Sequence, residues 1–171
     1  MDNIFDLKTA NVGSSFYLNG TQIAQDVNVE IGEITFMSTT VFASGEQDVP
    51  VRGLFTSTGF TVNWKHITDM VIDAMEPDVN DYEFRFNEDI LDDNTHKHRV
   101  RNVRLVLQGE PKSVMPAETI NVGERDDIPT EFALYRYYRY HDGKPVIEFD
   151  RRKGVYRVNG KDKYQDIRKG L

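Results

Sequence analysis

Cysteine is absent from this 171-residue chain. Its absence removes disulfides, thiolate nucleophiles and every cysteine-based metal site at once. Long apolar runs are missing too: the longest are a few residues, against the roughly 20 that a membrane-spanning helix needs. The opening residues Met1-Asp2-Asn3-Ile4-Phe5-Asp6 hold neither a basic stretch nor an apolar one. No secretory signal is expected there, and a cytoplasmic site of folding is the default expectation. There is no excess of cations either, since 21 Lys and Arg stand against 28 Asp and Glu, a net charge of −7. A protein that grips nucleic acid replaces the counterions around phosphates with Lys and Arg, which usually makes the domain basic. The chain also lacks a G-x-S-x-G turn, a phosphate-binding loop and a dinucleotide fingerprint, so the common enzyme signatures are not there.

What is present describes an ordinary globular chain. Apolar residues make up 39% and charged residues 29%, which fits neither a disordered nor a membrane-embedded protein. The length suits a single domain over residues 1–171 that buries roughly 70% of its unfolded surface. The few cations cluster, in Lys97-His98-Arg99-Val100-Arg101-Asn102-Val103-Arg104, in Arg151-Arg152-Lys153 and in Lys161-Asp162-Lys163. The first run partly alternates with apolar residues and reads as the exposed face of a strand.

Along the chain the period is mostly two. Residues 1–14 are polar and poorly periodic, an expected N-terminal arm. Asn19-Gly20, Asp142-Gly143 and Asn159-Gly160 lie between β-prone runs. Such pairs mark tight hairpins, because both positions need φ > 0. After the first of them, Ile23, Val27, Val29 and Ile31 alternate with polar residues as a half-buried strand does. Two long polar segments, about 38–48 and 109–129, read as loops, and loops that long are usually functional. Residues 88–94 read as an acidic turn. Phe132, Leu134, Arg136, Tyr138 and Tyr140 alternate with Ala133, Tyr135, Tyr137 and Arg139, so that strand expects cover on both faces. One segment departs from period two. Trp64, Ile67, Val71 and Met75, with Ile72, sit at spacings of one helix face, so a helix over 64–75 is expected with Asn63 capping it. A short terminal helix is expected over 162–169. The fold class is therefore mainly β (α+β): an antiparallel sandwich or barrel with one flanking helix and a short C-terminal one.

Candidate chemistry is thin. His96 and His98 with Asp89, Asp92 and Asp93 suggest a metal pair, yet a metal needs three or four converging ligands, and these lie in a polar turn. The carboxylate pairs Glu124 with Asp126 and Asp92 with Asp93 have no apolar surroundings to raise a pKa for acid–base work. Tyr135, Tyr137, Tyr138 and Tyr140 among arginines imitate a base-stacking platform, but the acidic balance favours packing. No catalytic, cofactor or metal residue is assigned.

Three stretches carry a resemblance: "FYLNGTQIAQDVNVEI", "FTVNWKHITDMVIDAM" and "GKPVIEFDRRKGVYRVNGKDKYQDIRKGL". Together they resemble the major tail tube protein family of contractile-tailed bacteriophages, with an acidic start at Asp2 and Asp6 in place of the basic arm expected of that family. The resemblance implies a ring-forming subunit without enzymatic activity or cofactor. Six copies would join edge to edge, rings would stack into a hollow conduit, and DNA would pass through it unbound. The implied partners are other copies, a tail sheath protein, and tape-measure and baseplate proteins. The implied location is the virion tail tube, assembled in the host cytoplasm. An acidic lumen would let DNA slide, and Glu30, Glu83 and Glu131 are the strand carboxylates expected to face it. Two alternatives stand beside this: a tube of a phage-derived injection machine, and a monomeric β-barrel that binds a small ligand.

Overall fold

The computed structural model describes residues 4–125 and 127–170; Asp2, Asp126 and the terminal Leu171 named above lie outside them. Twelve strands and two five-residue helices follow in the order β1 (Asp6–Leu18), β2 (Thr21–Gln25), β3 (Asn28–Ile31), β4 (Phe36–Phe42), β5 (Glu46–Phe55), β6 (Gly59–Trp64), α1 (Asp69–Asp73), β7 (Asn80–Asp92), β8 (Lys97–Pro111), β9 (Ile128–His141), β10 (Lys144–Asp150), β11 (Val155–Val158), β12 (Lys161–Asp162) and α2 (Gln165–Lys169). The architecture is mainly antiparallel β, as the period-two pattern predicts. Ten strands form one sheet, ordered β12-β11-β10-β9-β8-β7-β1-β2, with β6 pairing β9 and β3 pairing β6; β4 and β5 form a separate hairpin. No barrel closes among the described residues, because β2 and β3, neighbours in sequence, do not pair. Asp26, at φ 53° between them, turns the chain out of the strand.

The three Asx-Gly turns adopt positive φ at both positions, Asn19 47° and Gly20 88°, Asp142 47° and Gly143 78°, Asn159 49° and Gly160 76°. That backbone matches the right-handed twist of the strands it joins.

The core lies inside the curl of β1, β7, β8, β9, β6 and β3. Phe16, Phe60, Trp64, Tyr82 and Phe132 are fully enclosed. Phe16 meets Trp64 edge-on with ring centroids 5.2 Å apart, Phe60 stacks on Phe132 at 4.9 Å, and Tyr82 meets Phe132 at 5.0 Å. Such pairs add about 0.5–1.5 kcal/mol each beyond the area they bury. The Tyr82 hydroxyl donates to the Ala74 carbonyl at 2.9 Å, tying β7 to the end of α1. Burial pushes the Tyr82 pKa up to about 12.

The helix over 64–75 is corrected. Trp64 is buried, but as the last residue of β6, where Phe60, Val62 and Trp64 point inward in strand alternation. Pairing of Trp64 with Ile128 and an indole N–H bond to Thr130 Oγ1 at 2.9 Å keep it extended. The helix begins five residues later, capped by Thr68 rather than Asn63. Val71 and Met75 are buried, Ile67 is half-buried against the core, and Ile72 faces solvent.

Four further segments differ from expectation. The expected arm is strand from Asp6 onward, paired with β7. The loop expected at 38–48 is the β4–β5 hairpin. The expected 109–129 loop is shorter, running 112–127 between β8 and β9. The acidic turn at 88–94 is strand as far as Asp92.

The alternation of β9 also reverses midway. Tyr135 is an extra residue against β8, since Gln108 pairs Arg136 while Gly109 pairs Leu134. Such a bulge flips the sides of every residue after it. Phe132 and Leu134 point into the core before it, and Tyr137 packs on the core after it. Gly109 permits the bulge, because a Cβ there would lie 2.0 Å from the Ala133 carbonyl oxygen.

Candidate assembly surfaces

The first surface is the outer face of β1, β7, β8, β9 and β10. Cross-strand register places Tyr17, Glu83, Val106, Tyr138, Glu148 and Arg157 in one row across six strands. The next row holds Ser15, Arg85, Arg104 and Tyr140. Guanidinium groups lie over rings: Arg85 over Tyr17 at 4.4 Å, Arg104 over Tyr140 at 4.5 Å and Arg136 over Tyr138 at 5.3 Å. Pairs this exposed contribute about 0.5–1 kcal/mol each. Their larger effect is to hold the long side chains flat, giving a stiff surface of mixed charge. Of the tyrosines read as a stacking platform, Tyr138 and Tyr140 are thus occupied by arginines of the same face, Tyr135 lies under Arg152, and Tyr137 packs on the core.

A second surface is the β4–β5 hairpin, which projects from the sheet with all of β4 exposed. Its base is anchored by a second aromatic cluster. Phe55 meets Phe149 at 4.6 Å and Phe36 at 5.3 Å, while Tyr164 lies 5.8 Å from Phe55. Its tip leaves Phe42, Val41 and Val49 uncovered beside Glu46 and Asp48.

The third surface is a blade formed by the far ends of β1, β7 and β8. On its inner side, where the blade leaves the core, opens a cleft of about 540 Å³. Val27, Val29, Ile31, Phe86, Leu105 and Tyr137 wall it, and Glu88 lies at its floor. Glu88 is 1% exposed. It accepts from Arg101 Nε at 2.8 Å, and Lys8 Nζ and Arg139 Nη2 stand 3.2 and 3.3 Å from its other oxygen. Burial works to raise its pKa, but hydrogen bonds and charge from Arg101 and Lys8 together outweigh burial and hold the carboxyl below its ordinary value. Sequence reasoning misses this residue. The signal that finds it is the alternation Tyr82, Phe84, Phe86, Glu88, Ile90, which continues through the acidic stretch.

Loop 112–127 is the fourth. Val114, Met115, Ile120 and Val122 stand in solvent, although Pro116 is buried.

Of the expected lumen carboxylates, the structure brings two together. Glu30 pairs Thr61, Thr61 pairs Glu131, and both carboxylates are exposed on one outward row of β3, β6 and β9. Lys112 Nζ stands 3.7 Å from Glu131. Glu83, on β7, lies two strands from Glu131 and four from Glu30, bonded to Arg85. The basic run 97–104 lies on β8, where Arg99 pairs Asp6 at 2.6 Å and His98 Nδ1 lies 3.1 Å from Asp89. His96 sits at φ 51° in the turn before β8. Glu124 lies exposed in the 112–127 loop. No group of three or more metal-ligating side chains gathers among the described residues.

No curated protein matches the chain. Among solved structures, a sheath–tube complex of an extracellular contractile injection system (PVC) in the extended state is similar over 74% of this chain and 87% of that one. Its identity is 13% and its TM-score 0.48. The family model for phage tail tube protein FII matches residues 8–171, and the chain belongs to that family.

Proposed function

We propose that this chain builds the inner tube of a contractile phage tail. Six copies join edge to edge into a ring, and rings stack into a hollow conduit that DNA traverses. A sheath surrounds the tube, and tape-measure and baseplate proteins meet it inside and at its end. The virion is its place of work. The observation that carries the reading is the unsatisfied surface of the lone subunit, namely edges of β2 and β3 left unpaired among the described residues and apolar side chains on projecting elements. Free edges promote uncontrolled pairing, and a closed ring removes them by pairing each with a neighbour.

The acidic balance suits a conduit. Duplex DNA carries a charge about every 1.7 Å of its axis, so a cationic lumen would bind it along its length. Glu30, Glu83 and Glu131 are the carboxylates assigned to the lumen. Glu30 and Glu131 make the stronger patch, since Glu83 sits among arginines. A phage-derived injection machine would use the same subunit architecture with a different cargo.

Sedimentation of the purified chain over a hundredfold concentration range tests assembly. Ring-sized and heavier species are expected. A single 19.8 kDa species at every concentration, as a ligand-binding monomer would give, overturns the reading.

A further inference from the structure

The cleft at the blade is an unfinished part of the core. Half-buried Phe86, Tyr137, Val29 and Ile31 pack against the core cluster and still border open volume. At about 540 Å³ it is in the size range of a site that holds a ligand or a short peptide. The charged residues that line it are mixed and balanced, Lys8 and Arg139 against Asp26 and Glu88.

Loop 112–127 presents the complement. Val122, Val114, Ile120 and Met115 are 102%, 91%, 79% and 68% exposed. Residues 113–124 add two carboxylates, Glu118 and Glu124, and no Lys or Arg. The loop does not fill the cleft of its own chain: none of its described residues lines it. Leu105 lines the cleft, and β8 runs six residues further before the loop begins, about 20 Å at the rise of a strand. Cleft and loop therefore lie toward opposite ends of the β8–β9 pair. A contact between them is head-to-tail, and head-to-tail contacts propagate from copy to copy.

Resting on the tube reading above, we propose that the apolar residues of loop 112–127 of one copy seat in the Glu88 cleft of the next, completing its core. Glu118 and Glu124 meet Lys8 and Arg139 of the cleft wall. The contact adds one segment to each core and one link to each stack.

The absence of native cysteine makes the test direct. Asn28→Cys on the cleft wall and Val122→Cys on the loop are introduced together into the full chain, and the wild-type-like assemblies are treated with a short bis-maleimide. A ladder of covalent oligomers is expected on denaturing gels from the double variant, and none from either single variant. A ladder from Asn28→Cys with Phe42→Cys instead shows that the β4–β5 tip fills the cleft and overturns the proposal. Absence of ladders in both doubles, with assembly intact, overturns it as well. A second variant covers failure of the cysteine chains to fold. Ile120→Asp with Val122→Asp changes only exposed loop positions. It should raise the concentration needed for assembly about tenfold or more while circular dichroism is unchanged; unchanged assembly overturns the contact. Wild-type protein that never assembles is a different result, which removes the tube reading itself.

Discussion

Trp64 touches Phe16 edge-on and donates to Thr130 from a fully enclosed position. Replacing it by alanine removes a large ring and leaves the Thr130 hydroxyl without that donor. Trp64→Ala should cost about 3–5 kcal/mol, the range for removing a core aromatic, read as a lowered denaturant midpoint. An unchanged midpoint would contradict the packing. Its burial is legible in the sequence, yet its element is not. Trp64 ends a period-two run and also begins a spacing that suits a helix, and only the pairing with Ile128 decides between them.

Glu88 allows a test with a definite sign. Its folded pKa is lowered, so the stabilisation from its charge is present above the unfolded value near 4.3 and fades as pH falls through the lower folded value. Glu88→Gln leaves three cations facing a neutral amide, and losing one partner of a buried pair costs about 3 kcal/mol or more at neutral pH. Urea titrations of wild type and variant should differ by that amount at pH 7, and the difference should shrink as pH falls from the unfolded value through the lower folded one. A difference independent of pH would show that the site is held by shape alone. The sequence hides the site because a carboxylate flanked by Asp89 and Asp92 looks like part of a solvated turn. The cations that hold it come from residues 8, 101 and 139.

At the scale of elements, short-range chemistry was readable and long-range pairing was not. All three Asx-Gly turns form, because φ > 0 at two successive positions is a local demand. Strand β4, Phe36–Phe42, has no core face and shows no alternation; it is extended because β5 pairs with it. Residues 6–12 are strand for the same reason, through β7. The hairpin is anchored only at its base, by Phe36 and Phe55 against Phe149 and Tyr164. Deleting residues 39–47 should therefore leave a folded subunit with near-native circular dichroism that no longer builds tubes. Long tubes from that variant would show that the hairpin is dispensable for stacking.

For the whole molecule, mainly antiparallel β follows from the period, whereas the open curl and the bulge at Tyr135 follow from contacts between strands far apart in sequence. The net charge of −7 has to be distributed over the surfaces of the assembly. Ring-to-ring contacts of one sign would repel, and the row carrying Glu83, Glu148 and Arg157 is already mixed. A uniform sign is useful where a polyanion passes, since confinement strengthens repulsion. In tubes, Glu30→Lys with Glu131→Lys should turn a lumen that excludes a short DNA duplex into one that retains it at low salt. Equal exclusion by both would place these carboxylates on another surface.

The central claim is that the free edges and projecting apolar side chains of this subunit are satisfied by its own copies. Electron cryomicroscopy of the purified chain tests it most directly. The account predicts hollow tubes of stacked rings, with β2 or β3 paired to a neighbour and Glu30 and Glu131 lining the bore. Particles that remain single subunits, or tubes whose bore is lined mainly by Lys and Arg, would contradict it.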